Sequence, residues 1–477
     1  MEFTNISIFN NATLSDAIKA LNKSGLGSVF IVDNNKKVLG ILTDGDIRKS
    51  LAKGSKSLTP VSQIMNKNFI KFNYKANYQE ILNKISDEIK IIPLVDDKDI
   101  LVDYASKNRI TFIPIAKPLI GKEELLNVID CVKSGWISSQ GSYVSKFESE
   151  FSKMHNDNYS LTVANGSVAL HLAIVSLGIG KGDEVIVPDL TFAASINSII
   201  HAGATPVIAD VDINTWNIDT VKLKTLITNK TKAIMPVHLY GNPCNMKEIK
   251  RLATKHKLKI IEDCAESIGS MTNNRLTGLF GDASTFSFFG NKTITTGEGG
   301  MILFKNKSDY QKAKILRDHG MSPKKKYWHN YIGFNYRLTN IQAAIGVAQL
   351  KRLDEFVKKK RAISEIYNDY FSQYNYFKTQ IIEKTDYSSY WLFSVLILEN
   401  SPISRDDFAV IMKKKGIDTR PVFIPLNQMK IYKKYSNETI KNSNFIGKYG
   451  ISLPTHVDLS NEQINYIISS IKELFGH

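Results

Sequence analysis

Hydrophobic and polar positions change their rhythm twice along the chain. Near the N-terminus one pattern occurs two times. Ala17-Ile18 to Val32-Asp33-Asn34 can be laid over Glu80-Ile81 to Val95-Asp96-Asp97 at a constant offset of 63 residues. Each copy reads as an amphipathic helix followed by a short apolar strand, residues 28–32 and 91–95, that ends in acidic turn residues. Units this small bury their apolar faces on each other. The pair therefore predicts an α+β domain over residues 1–108, with a linker at 109–114.

From about residue 125 to 350, apolar strand-like runs alternate with helical patterns at a spacing of roughly 25–30 residues. The runs are 183–187, 206–210, 232–237, 258–261, 283–289 and 301–304. Such alternation predicts an α/β domain with a largely parallel sheet, here over 115–350. Beyond 351 a long charged helix leads into mixed runs at 387–398 and 451–471, which predict a smaller α+β domain reaching residue 477.

Composition narrows the class without changing this layout. With 477 residues, 43 % of them hydrophobic, the chain has room for two to four domains. Ordinary Gly, Pro and aromatic content excludes fibrous and disordered classes. No apolar run reaches the roughly 18 residues that span a bilayer, and Met1-Glu2-Phe3 opens no signal peptide. Cys131, Cys244 and Cys264 are an odd, widely spaced set that forms no disulfide framework, so a cytoplasmic protein is expected. The net charge of +16 comes from 62 Lys and Arg, of which only ten are Arg. Runs such as Lys324–Lys326 and Lys358–Lys360 read as solvated faces or loops. Nucleic-acid readers carry Arg forks in a recognisable module, which this sequence lacks. The charge suits anionic substrates instead, with neither nucleic acid nor membrane as partner.

The chemistry concentrates in Ser284-Thr285-Phe286-Ser287-Phe288-Phe289-Gly290-Asn291-Lys292-Thr293-Ile294-Thr295-Thr296-Gly297-Glu298-Gly299-Gly300. A strand runs into a polar, Gly-rich turn bearing one lysine. Glycine lets backbone approach a ligand closely, and a desolvated lysine becomes a nucleophilic amine able to form a Schiff base. A lysine near glycines is most often a surface residue, so its neighbours decide. Leu258-Lys259-Ile260-Ile261-Glu262-Asp263 ends a strand in carboxylates, where α/β sheets bind ligands and where Asp263 can keep a pyridine nitrogen protonated. Ala164-Asn165-Gly166-Ser167 opens a helical pattern, and a helix start is a phosphate cradle. Pro188-Asp189-Leu190-Thr191-Phe192 ends another strand with an aromatic suited to stacking on a flat ring. Taken singly, Asp263 and Ser167 also read as helix-capping residues and Phe192 as a core aromatic. Their joint order points to one site.

These residues carry a resemblance. Ala164–Leu170, Ile261-Glu262-Asp263-Cys264-Ala265-Glu266, Phe286 to Gly300 and Gly333-Phe334-Asn335-Tyr336-Arg337-Leu338-Thr339-Asn340 make residues 112–477 similar to the DegT/DnrJ/EryC1/StrS family of nucleotide-sugar aminotransferases, which use pyridoxal 5'-phosphate. Within it, Phe289–Gly300 and Tyr327-Trp328-His329 look most like the GDP-perosamine synthases. The resemblance implies the fold-type-I architecture of these enzymes, a large α/β domain plus a small α+β domain. It implies that Lys292 carries the cofactor as a Schiff base and that Asp263 pairs with the pyridinium nitrogen. Gly166, Ser167 and Ser287 would hold the phosphate, and Phe192 would cover one ring face. Asn335 would reach the phosphate from a second subunit, so a homodimer with shared sites is implied. Glu266 stands where many relatives have Gln beside the cofactor hydroxyl, and a carboxylate there must be protonated or bonded elsewhere. Tyr327, Trp328, His329 and Lys324–Lys326 would meet the sugar and its diphosphate, with His319 in a loop lining the site and Arg337 in a structural role. The implied reaction passes the amino group of glutamate to the C4 ketone of a nucleotide-linked 6-deoxy sugar for surface polysaccharide. Related dehydratases replace the lysine by His, which Lys292 argues against. A UDP- or dTDP-linked substrate and a nucleotide-sensing regulator with a silent site are the alternatives.

The N-terminal pair resembles tandem CBS motifs, on the strength of Gly40-Ile41-Leu42-Thr43-Asp44-Gly45-Asp46-Ile47-Arg48. In that family Thr43 would contact phosphate and Asp46 the ribose hydroxyls of an adenine nucleotide. Ile100-Leu101-Val102-Asp103-Tyr104 lacks this pattern, so one complete ligand site at most is expected. The pair would then regulate the transaminase.

Overall fold

The computed structural model describes residues 6–74, 76, 80–81, 83–86, 88–106, 112–436 and 439–476. The chain forms two compact units, residues 1–113 with 410–417, and 114–409 with 418–477.

The first unit shows the expected repeat. Strands β1 (Ser7–Phe9), β2 (Ser28–Val32) and β3 (Val38–Thr43) form one sheet, and β4 (Phe72–Asn73), β5 (Ile91–Val95) and β6 (Leu101–Ser106) form another. In each sheet the first strand pairs parallel to the second, the second antiparallel to the third. The offset of 63 carries β2 onto β5 and β3 onto β6. A register shift recurs at Ile31/Val32 and Leu94/Val95. The copies meet where the Val38 N–H donates to the Asp99 carbonyl at 3.2 Å and the Leu101 N–H to the Lys36 carbonyl at 3.0 Å. Those two bonds exchange under the same offset. Between the copies Phe30, Ile91 and Tyr104 share one cluster, and Val32, Val38 and Val95 another. The helix Leu14–Ser24 buries Leu14, Ala17 and Leu21 one turn apart. Its expected counterpart near Glu80–Ile81, and residues 109–111 of the expected linker, lie largely outside the described residues.

The second unit is built on a seven-stranded sheet of β7 (Tyr159–Val163), β8 (Glu184–Pro188), β9 (Thr205–Ala209), β10 (Thr231–Ile234), β11 (Lys259–Asp263), β14 (Ala283–Ser287) and β15 (Gly300–Phe304). A short hairpin, β12 (Met271–Thr272) and β13 (Arg275–Leu276), intervenes in the chain. The order is β7-β15-β14-β11-β10-β8-β9. Every neighbour pairing is parallel except those of β15, antiparallel to both β14 and β7. The sheet is thus largely parallel, as its buried apolar strands require. β7, absent from the expected strands, is the one addition.

Pairing brings the functional ends together. Val163 lies opposite Gly300, Gly300 opposite Ser287, and Thr285 beside Asp263, so the carboxyl ends of the parallel strands converge on one rim. Alternation then aims the side chains. Phe286 and Phe288 are buried against Phe147 and Phe151, which turns Ser287 to the opposite face.

The part of the second unit beyond residue 351, residues 351–409 and 418–477, forms an α+β layer. It contains the long helix Leu353–Phe371 and a four-stranded antiparallel sheet of β16 (Phe377–Thr379), β18 (Phe393–Ile397), β20 (Gly450–Leu453) and β19 (Arg420–Pro421), while β17 (Asp386–Tyr387) pairs with β12. This layer shares a core with the large sheet: Leu190, Trp216 and Tyr240 pack with Trp391, Leu396 and Val422. One reading is corrected here. Lys360, grouped with Lys358 and Lys359 as solvated, is only 4 % exposed. It continues the buried stripe of Phe356, Val357, Ile363 and Tyr367 on the long helix and donates to the carbonyls of Trp391 and Thr455 at 3.0 and 2.6 Å.

All three cysteines are buried and free. Among the described residues no helix is long and apolar enough to cross a membrane.

Candidate active site

Asp263 closes β11, and the two-residue period puts it and Glu262 on opposite faces of the sheet. Asp263 accepts from the Ser195 hydroxyl at 2.8 Å and from the Ala265 N–H at 3.1 Å. Burial pushes its carboxyl up, against the pull of these donors and of Lys292. Ser195 is held in turn by Thr191 Oγ1 at 2.9 Å. Both belong to the segment after β8, where Phe192 precedes the helix Ala193–His201. The Phe192 ring is 60 % exposed, so it is a rim residue and no core aromatic.

Lys292 lies in the turn between β14 and β15. Its Nζ is 3.9 Å from Glu266 Oε1 and 3.8 Å from the centre of the Trp391 ring. Burial pushes the amine down, opposed by Glu266 and Asp263 and reinforced by Arg420. Glu266 Oε2 accepts from the Tyr240 N–H at 2.8 Å. Burial raises the Glu266 carboxyl to about 7 in spite of Lys292 and that bond. Tyr240 adopts a left-handed backbone, φ 55°, an uncommon state for a bulky residue that tends to be kept at functional sites. Its ring stacks on Trp391 and Phe423, and Phe423 leans on Phe192. An aromatic wall thus runs from the amine to the rim.

Gly166 and Ser167 begin the helix Gly166–Ser176. The cap is Asn165, whose side chain accepts from the Val168 N–H at 3.0 Å, so Ser167 is not the capping residue. A Cβ on Gly166 would stand 2.9 Å from Ser287 Cβ, which is why this position is glycine. Gly166, Ser167 and Ser287 therefore share one corner, with helix N–H groups left for an anion. The Ala164 N–H, two residues earlier, donates to the Tyr336 carbonyl at 2.8 Å, while Asn335 itself pairs with Asp318.

The remaining predicted residues sit in an exposed loop. His329 Nδ1 lies 2.8 Å from the His319 carbonyl oxygen, and Met321 pairs with His329. Tyr327 and Trp328 are exposed, each ring covered by its own neighbour, Lys326 and Lys325. Arg337 pairs with Asp318 at the loop's base, the structural role expected of it. In the first unit, Thr43 caps the helix Asp44–Ala52 and forms a reciprocal box with Asp46. The Asp46 carboxylate accepts from the Thr43 hydroxyl at 2.7 Å and from its N–H at 3.0 Å.

Sequence reasoning did not find Ser195, Tyr240, Trp391 or Lys360. Ser195 had a signal, since it follows Thr191 by one helical turn at a strand end. Lys360 had one in its helical spacing from Phe356 and Val357, while Tyr240 and Trp391 depend on contacts between distant segments.

Comparison with known proteins gives the family. Residues 118–472 match the model of the DegT/DnrJ/EryC1/StrS aminotransferase family, and residues 4–53 match the CBS domain, covering the first copy of the repeat. The GDP-perosamine synthase of Escherichia coli O157:H7 is 46 % identical over 366 residues, 76 % of this chain and 99 % of that protein. Helicobacter pylori PseC, an aminotransferase involved in the biosynthesis of pseudoaminic acid, superposes with a TM-score of 0.73 at 28 % identity, over 77 % of this chain and all of its own. An E. coli GDP-4-keto-6-deoxy-D-mannose-3-dehydratase, solved with hydrated pyridoxal phosphate, gives 0.71 at 29 % identity over 76 % of this chain and 99 % of its own. The chain belongs to the DegT/DnrJ/EryC1/StrS aminotransferase family and is a pyridoxal-phosphate-dependent nucleotide-sugar transaminase with a CBS domain at its N-terminus.

Proposed function

We propose that the protein transfers the amino group of glutamate to C4 of GDP-4-keto-6-deoxymannose, forming GDP-perosamine for surface polysaccharide. One observation carries the reading: the desolvated Lys292 amine stands beside Glu266 at the rim where Asp263 ends its strand. The 46 % identity to a GDP-perosamine synthase supports the choice of substrate.

The residues fit pyridoxal phosphate. The close approach of Gly166 to Ser287 and the open helix start suit its phosphate. Asp263, with only Ser195 and Ala265 as donors among the described residues, has capacity for a pyridinium. Lys292 would hold the aldehyde, Phe192 one ring face, and Asn335 of a second subunit the phosphate. Glu266 would stand near the ring hydroxyl, its raised carboxyl retaining a proton that removes the repulsion a carboxylate there would cause. When bound, the cofactor supplies the electron sink. Lys292 Nζ moves the proton as base and acid, and Asp263 keeps the ring nitrogen cationic. Tyr327, Trp328, His329 and His319 would meet the nucleotide sugar. Thr43 and Asp46 would take an adenine nucleotide that adjusts the rate. A homodimer is supported by the apolar side chains Leu125, Leu126, Ile129, Val132 and Trp136, exposed on and just after the helix Lys122–Ser134.

The test is to offer the protein GDP-, UDP- and dTDP-linked 4-keto sugars with glutamate and to follow amination by mass spectrometry. The GDP-linked mannose-type ketone is expected to react. Amination of a UDP- or dTDP-sugar alone would overturn the reading.

A further inference from the structure

Trp391 is fixed on three sides. Its indole N–H donates to the carbonyl of Asn291, the residue before Lys292, at 2.8 Å. Its own carbonyl accepts from Lys360 Nζ at 3.0 Å, an amine that burial pushes down to about 7. Its ring stacks on Tyr240, centroids 6.0 Å apart and planes 13° from parallel. On that ring rests Lys292 Nζ, 3.8 Å from the centroid. A cavity with room for about one water molecule is lined by Asn291, Lys292, Thr293, Lys360 and His456. Asn291 Oδ1, Thr293 Oγ1 and both His456 ring nitrogens have no hydrogen-bond partner among the described residues. This arrangement belongs to no step assigned above.

We propose that the Trp391 ring is the resting platform of the free Lys292 amine, holding it as a cation beside Glu266 whenever it is not joined to the cofactor, and that Lys360 is the positioning residue that sets this ring. The proposal rests on Lys292 being the Schiff-base residue. An amine released during turnover has to stay within reach of the carbon whose proton it moves. A flexible four-carbon chain would otherwise swing away. Tryptophan offers the strongest aromatic face to an ammonium, and the attraction grows when water is excluded. The charged groups around the amine are Glu266 and Asp263 beyond and at the end of β11, and Arg420 on β19; Lys360 approaches from the long helix. Burial and Arg420 favour the neutral amine, while the carboxyls and the ring favour the cation. The ring thus balances retention against nucleophilicity. Water in the cavity would satisfy the orphaned groups and let Lys360 keep its two carbonyl bonds without a carboxylate.

The experiment measures how readily Lys292 is labelled by fluorodinitrobenzene in cofactor-free protein across pH, read at the Lys292 peptide by mass spectrometry. Trp391→Leu is expected to move the labelling midpoint down by about one pH unit, a tenfold gain in neutral amine. Trp391→Phe, which keeps a weaker ring face, is expected to fall between, and Lys360→Met to move the midpoint the same way by a smaller amount. Circular dichroism shows which variants fold; if Trp391→Leu does not, the other two decide. Midpoints equal to wild type in the folded variants overturn the proposal. The functional reading fails separately, if Lys292 takes up no pyridoxal phosphate while the midpoints still move.

Discussion

Thr43 and Asp46 at the start of one helix complete each other, whereas Lys292, Asp263 and Glu266 at the sheet rim do not. In the first pair the hydroxyl and both backbone N–H groups find their partners within four residues. In the second group a carboxyl raised to about 7, a second carboxyl pushed up and an amine pushed down share one buried space. The first arrangement lowers the free energy of the fold on its own. The second leaves it higher, to be offset by something that binds. Glu262 supplies the control, one residue from Asp263 on the other face. It accepts from Gly278, Phe280 and Gly281 N–H, the Ser284 hydroxyl and His238 Nε2. His238 Nδ1 accepts from the Cys244 N–H, which leaves the ring proton on Nε2. Burial would raise the Glu262 carboxyl, yet His238 and the backbone donors bring it below its ordinary value. A buried carboxylate given its full set of donors is structural; one left short faces a ligand.

The sharpest way to break this contrast is to remove the unsatisfied amine. Lys292→Ala is expected to lower the amination rate at least about ten-thousandfold, since covalent and proton-transfer roles vanish together. Its thermal midpoint in the absence of cofactor should stay within a few degrees of wild type. Quenched single-turnover assays and a melting curve check both halves. Glu262→Ala should do the reverse. It strands five donors around a buried void, and loss of one partner of a buried pair costs about 3–5 kcal/mol. Urea unfolding is expected to show that loss. A small stability change at Glu262, or a large one at Lys292, would dissolve the distinction.

Glu266→Gln sharpens it. The Glu266 carboxyl holds its proton more tightly in the folded chain than in the unfolded one, where the ordinary value is 4.5. Between pH 4.5 and about 7 the folded state therefore binds more protons, and stability falls as pH rises through this window. Glutamine imitates the protonated form at every pH. The variant should match wild type below pH 4.5 and exceed it by about 3 kcal/mol above pH 7, read from cofactor-free urea unfolding at several pH values. A constant difference across pH would mean that Glu266 does not titrate as its burial requires.

The sequence carried the parts of this contrast that are local. Period-two alternation and glycine-rich turns mark strand ends, so Asp263, Lys292 and the Gly166–Ser167 corner were legible before any coordinates. The repeat was legible because its offset of 63 recurs strand by strand. Trp391 was not, because it is 100 residues from the Asn291 carbonyl that it meets and its own neighbourhood, Ser388-Ser389-Tyr390, says nothing of a lysine. Tyr240 was hidden for the same reason, its unusual φ being imposed by packing. Lys360 is a different case. Helical spacing from Phe356 and Val357 puts it on the buried stripe, and the charge of its two lysine neighbours masked that position.

The smallest effect separates capping from ligand binding in the first unit. Thr13 and Asp16 form the same reciprocal box at the start of the helix Leu14–Ser24 that Thr43 and Asp46 form at Asp44–Ala52. Thr13→Ala and Thr43→Ala should each cost about 1 kcal/mol, the ordinary worth of an N-cap, and leave the amination rate measured without nucleotide unchanged. The two differ only if Thr43 also meets a nucleotide. A ligand at about a hundred times its Kd adds about 2.7 kcal/mol to the stability of the state that binds it. Adenine nucleotide is therefore expected to raise the unfolding midpoint of wild type and of Thr13→Ala alike, and to do so far less in Thr43→Ala. Equal responses in both variants would make Thr43 a cap and nothing more, and would place the motif with Glu262 among the groups that the chain has already satisfied for itself.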